Sequence, residues 1–253
     1  MKRSAADHSL SLSGPPARTV AEAAYIRLRQ DIIWGRLVPG APLRSDELRL
    51  AYGIGISPLR EALSRLVSER LVTSIGQRGF RVAPLTAEDV ADVTETRLVI
   101  ERHALARSIR DGDLAWEREI VSSYHALTRG PFPLGPGPGM EVWVGFHRQF
   151  HTALIAACGS RWQIEMASLL FDQAERYRAV RANHVPEQQL KRDVAAEHEE
   201  IYRATLARDA ERALAALERH YRNTAEHVLS ALRHAPETGG GAQGRSSPHK
   251  QTI

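Results

Sequence analysis

The sequence has little of what marks several common protein classes. Only one of its 253 residues is cysteine, Cys158, so no intrachain disulfide can form. That suits a reducing compartment, and the expected localisation is cytoplasmic. Cys158 itself lies in an apolar helical run and reads as a small core residue. No apolar run approaches the ~20 residues that span a bilayer as a helix, so no membrane partner is expected. The N-terminus carries charge but lacks the hydrophobic core of a secretion signal, which argues against export. No internal repeat is visible, and no convincing strand can be drawn after residue 85.

What is present suits two domains, each with its own core. Hydrophobic residues make up 43% of the chain, and the formal net charge is +4. The basic excess is local. Between Thr19 and Pro84 there are ten arginines against six acidic residues, which suits a polyanion such as DNA. Residues 1–18, rich in Ser, Ala and Pro, are expected to be a disordered arm, and residues 233–253 a disordered tail. The expected fold is mainly α, with a winged helix-turn-helix over 19–85 followed by an all-α helical bundle over 86–232.

The N-terminal domain centres on Gly53 to Val67. Ser57 is predicted as an N-cap with Pro58 at the first helical position, where a missing N–H costs nothing. Leu59, Ala62, Leu63 and Leu66 then form one apolar stripe, opposite Arg60, Ser64, Arg65 and Ser68. Ser45 to Tyr52 is a second short helical run, stopped by Gly53. Two short helices joined by a glycine turn make a helix-turn-helix, whose second helix can enter a DNA major groove. Leu71–Ile75 and Phe80–Val82 are β-prone runs around Gly76-Gln77-Arg78-Gly79, a hairpin with a basic tip suited to phosphate or minor-groove contact. The alternative is a helical subdomain that merely carries arginines.

Three stretches here resemble the DNA-binding domain of GntR-type bacterial transcription regulators: Ile33 to Gly40, Ser57 to Leu63 and Gly76 to Phe80. Their order and spacing also match. The resemblance implies binding to a short palindromic operator in double-stranded DNA by a homodimer. It makes Arg60 and Arg78 the main DNA-contacting candidates, with Arg44, Ser57, Arg65 and Gly79 beside them. Most of that family has Ser-Arg where this chain has Gly55-Ile56, so one usual DNA-contacting arginine is absent.

Beyond Thr86, a predicted N-cap, helices are expected at about 87–110, 113–128, 140–158, 160–182, 187–207 and 209–232. The Pro/Gly-rich stretch from Arg129 to Gly139 reads as a long, stiff loop. Four histidines share a pattern. His147 and His151 are one turn apart, and His151 shares a face with Leu154, Ile155 and Cys158. His198 lines up with Val194 and Ile201, and His220 with Ala213, Ala216 and Leu217. Asp209 lies eleven residues from both His198 and His220, so a hairpin turning there sets each roughly 16 Å from the turn. Four ring nitrogens can thus converge inside a bundle as ligands of a divalent metal ion, with zinc expected and nickel or manganese as alternatives. The plainer reading is four core histidines bonded to carbonyls.

This region is similar to the FCD effector domain of the FadR branch of GntR regulators, through Phe150 to Ser160, Glu197 to Ile201 and Asp209 to His220. The family's usual metal site is one aspartate and three histidines. His151, His198 and His220 match those histidines, and His147 stands where the aspartate usually does. Arg97 falls within the apolar stripe of Val90, Val93, Ile100 and Ala104. An unpaired buried guanidinium is expensive, so either Glu101 or another carboxylate pairs with it, or it awaits an anionic ligand. In the resembling family an arginine here often faces the effector, which makes Arg97 the effector-binding candidate for a small carboxylate metabolite.

The function expected is a ligand-responsive transcriptional regulator, not an enzyme, with no catalytic residues. Two other readings exist. One is a metal-dependent enzyme with an accessory nucleic-acid domain, for which no general base is evident beyond Glu197 and Glu199 flanking His198. The other is a regulator for which the metal itself is the signal.

Overall fold

A computed structural model describes residues 17, 19–130, 138–184 and 192–234. The expected arm over 1–18 and tail over 233–253 lie almost wholly outside the described residues, as do most of the Arg129 to Gly139 loop and the stop at Pro186.

Helix α1 (Val20–Ile33) begins where Thr19 turns extended and its hydroxyl accepts from the Glu22 amide at 3.0 Å. Ala24, Leu28 and Ile32 are buried, whereas Val20 is exposed at the helix end. Helix α2 (Ser45–Tyr52) stops at Gly53, whose φ of +65° is the left-handed cap that glycine adopts without strain. Helix α3 (Ile56–Ser68) buries Leu59, Ala62, Leu63 and Leu66. Its N-cap is Gly55, not Ser57. The helix starts at Ile56, so Pro58 is its third residue. The Leu59 amide makes the bond to the Gly55 carbonyl, at 3.3 Å, and Pro58 precedes it. A proline there also forfeits no bond. Ser57 is left with its side chain in solvent.

Strands β2 (Val72–Ser74) and β3 (Phe80–Val82) form the expected hairpin, antiparallel with Thr73 opposite Arg81. A third strand that the sequence did not suggest, β1 (Pro42–Leu43), pairs with the other edge of β3, giving the order β1-β3-β2. The core of this half gathers Leu28, Ile32, Leu59, Leu63, Leu66, Leu71 and Val82, all at most 2% exposed.

After Val82 the described residues are helical or irregular. Helices α4 (Ala87–Asp111), α5 (Leu114–Arg129) and α6 (Pro138–Ile155) are followed by α7 (Arg161–His184), α8 (Val194–Leu206) and α9 (Ala210–His234). Thr86, Asp113, Asp193 and Asp209 each accept an amide hydrogen bond in the following first turn. The helix expected from 187 begins at Val194. Phe150, Leu105, Ile120, Leu154, Ile201 and Leu217 centre the core, and Cys158 is sealed within it. No helix among the described residues is long and apolar enough to cross a membrane.

The two halves meet along α7. Asp172, 2% exposed, receives Arg29 from α1 and Arg148 from α6. Gln173 donates to the Glu69 carbonyl at 2.9 Å, and Arg176 to the Ala83 carbonyl at 2.7 Å.

Candidate functional site

Helix α6 presents His147 and His151 one turn apart, while α8 and α9 bring His198 and His220 up beside them. All four are buried, at 7%, 3%, 3% and 3% exposure. The His198 and His220 rings lie 4.6 Å apart between centroids, the level placement that the Asp209 hairpin predicts. One potential ligand atom from each of the four lies within 4.8 Å of all the others.

The outer nitrogens are held in place. His147 Nδ1 is 3.2 Å from Glu175 Oε1, and His220 Nδ1 is 2.8 Å from Glu197 Oε2. His151 Nδ1 sits 3.2 Å from the Tyr221 hydroxyl, which donates to Glu101 Oε2 at 2.5 Å. With Nδ1–H spent on these partners, Nε2 keeps its lone pair. The Nε2 atoms of His147, His151 and His198 are buried and have no hydrogen-bond partner among the described residues. Three orphaned ring nitrogens so close together are costly in a core, and a cation would satisfy them.

Electrostatics agrees. Burial pushes all four imidazoles below the ordinary histidine range, His147 to about 4 despite Glu175, and His151 and His198 well down, helped by neighbouring imidazoles. They are neutral at pH 7, the form that ligates metals. Burial opposes ionisation of Glu175 and Glu197, but Arg178 with His147, and Arg192 with His220 and Asn223, outweigh it and hold both carboxyls well below the usual range. With metal–nitrogen bonds of about 2.1 Å, two ligands of one ion stand at most about 4.2 Å apart. Small ring rotations bring the four within that span, so the donor set fits a divalent ion.

Beside the histidines lies a small cleft of about 40 Å³, lined by Arg97, Trp143, His147, Arg178, His220 and Tyr221 among others. The Glu101 pairing expected for Arg97 is present. Its Nε donates to Glu101 Oε1 at 2.7 Å and its guanidinium lies over the Tyr221 ring, yet Nη2 is buried without a partner among the described residues.

The other set of candidates forms a surface on the N-terminal half, separate from this cleft. Arg60 is exposed on α3 and Arg78 at the hairpin tip. Gly79 adopts φ +94°, ψ −142°, a conformation open to glycine, and thereby lets the tip fold back through the 2.8 Å Ile75–Gly79 bond. Arg65 stacks on Tyr25 at 3.9 Å, and Arg44 is paired with Glu47 at 3.0 Å. Ser57 lies in the first turn of α3, on the same exposed side.

Known proteins combine these two parts. Residues 20–82 match the bacterial regulatory proteins of the gntR family, and residues 92–223 match the FCD domain. The chain is a GntR-family transcriptional regulator with an FCD domain. The regulator is 40% identical over 210 residues to the HTH-type transcriptional regulator BphR of Paraburkholderia xenovorans, covering 80% of this chain and 82% of that protein. It is 35% identical over 197 residues to the HTH-type transcriptional repressor GlaR of Escherichia coli, covering 78% and 90%. In fold it resembles E. coli McbR/YncC, with a TM-score of 0.70, 20% identity and coverage of 85% and 99%. These relatives are regulators of transcription, which sets the enzyme reading aside, and GntR regulators bind DNA.

Several residues that shape the regulator's histidine site were not legible in sequence. Glu175 and Arg178 come from α7, which is buried on nearly every side from Phe171 to Arg178. No apolar stripe marks such a helix, so its charges look like a solvated face. Tyr221 had a usable signal, being next to His220 and one turn from Leu217.

Proposed function

We propose that the regulator binds a short palindromic operator as a homodimer in the cytoplasm, and that a small carboxylate bound beside a metal ion changes its affinity for that operator. In this reading α3 enters the major groove, with Arg60 and Arg65 reading or gripping it and Ser57 and Arg44 contacting phosphate. Arg78 at the Gly79 tip reaches the minor groove or backbone. Arg60 and Arg78 are exposed and have no ion pair among the described residues, which supports the assignment, since neither guanidinium must break one of those pairs to reach DNA. A homodimer follows because one short helix reads too few bases for adequate specificity.

His147, His151, His198 and His220 would hold the ion, zinc first, with nickel or manganese as alternatives. The ion, when bound, supplies a Lewis-acidic positive charge for a carboxylate oxygen. Arg97 holds a second contact to the ligand through Nη2. The observation that carries this reading is the convergence of four buried histidines, three with orphaned Nε2 atoms, beside a cleft lined by His147, His220 and Arg97, whose Nη2 is also orphaned among the described residues. Ligand binding stabilises one arrangement of the cleft over another, and α7, packed against both halves, passes that preference to the DNA-binding domain.

Elemental analysis of the purified protein beside a His151→Ala, His198→Ala double variant tests the site. Near-stoichiometric metal in the native chain and none in the variant is expected. Absence of metal after zinc, nickel and manganese are each offered would remove the metal from the reading. Operator affinity that tracks free metal with no organic acid present would instead favour the metal as signal.

A further inference from the structure

Helix α3 leads with an apolar side chain. Its N-cap, Gly55, carries none, and the fold does not demand glycine there. Gly55 has φ −75°, open to any residue, and a Cβ on it would meet only the Pro58 ring at 3.7 Å, an ordinary contact. Ile56 is therefore the first side chain that the helix presents. It is 45% exposed, whereas Ile54, two residues earlier, packs against the core of the N-terminal half.

Arg60 follows Ile56 by four residues, so the two lie on the same side of α3. Ser57, Arg60 and Ser64 are exposed, while Leu59, Ala62, Leu63 and Leu66 bury the opposite side. In a helix-turn-helix the N-terminal residues of the second helix meet base edges in the major groove. A lone exposed isoleucine needs no explanation elsewhere on a protein surface. At this position it faces the base edges once the regulator is on DNA.

An isoleucine side chain makes no hydrogen bond, which narrows what it can recognise. The apolar group that bases show in the major groove is the 5-methyl of thymine, and the other edges there are donors and acceptors. Against that methyl, Ile56 takes two apolar surfaces out of water together. Against a guanine or cytosine edge it strips water from polar atoms and returns no bond.

We propose that Ile56 is a specificity-determining residue that reads a thymine in each operator half-site through its 5-methyl group. This depends on the operator reading above, with α3 in the major groove, and adds to it one base preference of an apolar kind.

Operators for the test are recovered by selection from randomised double-stranded DNA with the full-length protein. Each thymine that the selection fixes is then replaced by deoxyuridine, which lacks only the methyl, and affinity is read by fluorescence anisotropy. At one position the replacement should weaken binding about four-fold per half-site, the effect of one buried methyl. Ile56→Ala, cut back to Cβ, should bring that ratio close to one and leave the salt slope unchanged, since no charge is lost. Ile56→Arg should turn the selected base toward guanine, whose O6 and N7 suit a guanidinium. Arg60→Ala should weaken both operators and keep their ratio. Equal affinity for thymine and deoxyuridine at every position overturns the methyl contact and leaves operator binding standing. A deoxyuridine effect that survives Ile56→Ala assigns the methyl to another residue and overturns it equally. Recovery of no operator sequence overturns the operator reading itself.

Discussion

Acidification of the metal-free protein should destabilise it well above the pH at which carboxylates titrate. The four buried histidines are neutral in the folded state, and His147 has its pKa lowered from 6.5 to about 4. Between those values the unfolded chain binds a proton that the folded chain does not. Stability is therefore complete above about pH 6.5 and is lost as the pH falls toward the folded value. For His147 the loss at pH 5 works out at about 2 kcal/mol. His151 and His198, pushed well below the ordinary value by burial and by the neighbouring imidazoles, add to the loss in the same direction. At roughly 2–4 °C per kcal/mol the His147 share alone lowers the melting temperature by roughly 4–8 °C. Glu175 and Glu197, held below the usual range, add to this only under about pH 4.5. Urea unfolding of chelator-treated protein from pH 7.5 to 5 measures the slope, and a His147→Gln variant should lose about 2 kcal/mol of it. An unfolding free energy constant within about 1 kcal/mol over that range would refute the buried, neutral cluster.

Three further outcomes follow from particular contacts. Arg60→Ala and Arg78→Ala should each weaken operator binding and lower the salt slope by about 1 in gel-shift titrations, whereas Arg44→Ala, already paired with Glu47, should do less. Tyr221→Phe strips the partner from His151 Nδ1 and from Glu101 Oε2, and should lower zinc affinity by about 10–100-fold in competition with a chromophoric chelator. Gly112→Ala would set a methyl 2.2 Å from the Trp116 ring, which is itself fixed by a 2.8 Å bond to the Ala153 carbonyl. Overpacking there should cost about 1–3 kcal/mol in chemical denaturation, and an unchanged midpoint would show that the ring yields.

The parts of the fold legible in sequence were those set by local signals. Gly53 and Thr86 announced helix ends through the chemistry of a cap, and the structure uses each as one. The start of α3 was misplaced for a physical reason. Proline is tolerated at any of the first helical positions, so Pro58 could not say which of them it occupied. Strand β1 escaped because two residues carry no alternation, and only pairing with β3 defines them. The histidines were legible because each interrupts an apolar stripe. The groups that hold them were not, since Glu175 reaches His147 from a helix 28 residues away and Glu197 reaches His220 across a hairpin.

Helix α7 has a consequence for how this protein can change. Within two turns it alternates between two duties: Asp172, Gln173 and Arg176 bind the N-terminal half, and Glu175 and Arg178 face the cleft. Substitutions in this stretch are pleiotropic by geometry. A change that retunes the cleft rotates or shifts side chains one residue from the domain junction, and a change that loosens the junction disturbs the carboxylate behind His147. Drift toward a new ligand is therefore channelled to α4 and α9, whose Arg97, Tyr221 and Thr224 line the same cleft, while 172–178 is constrained from both sides at once.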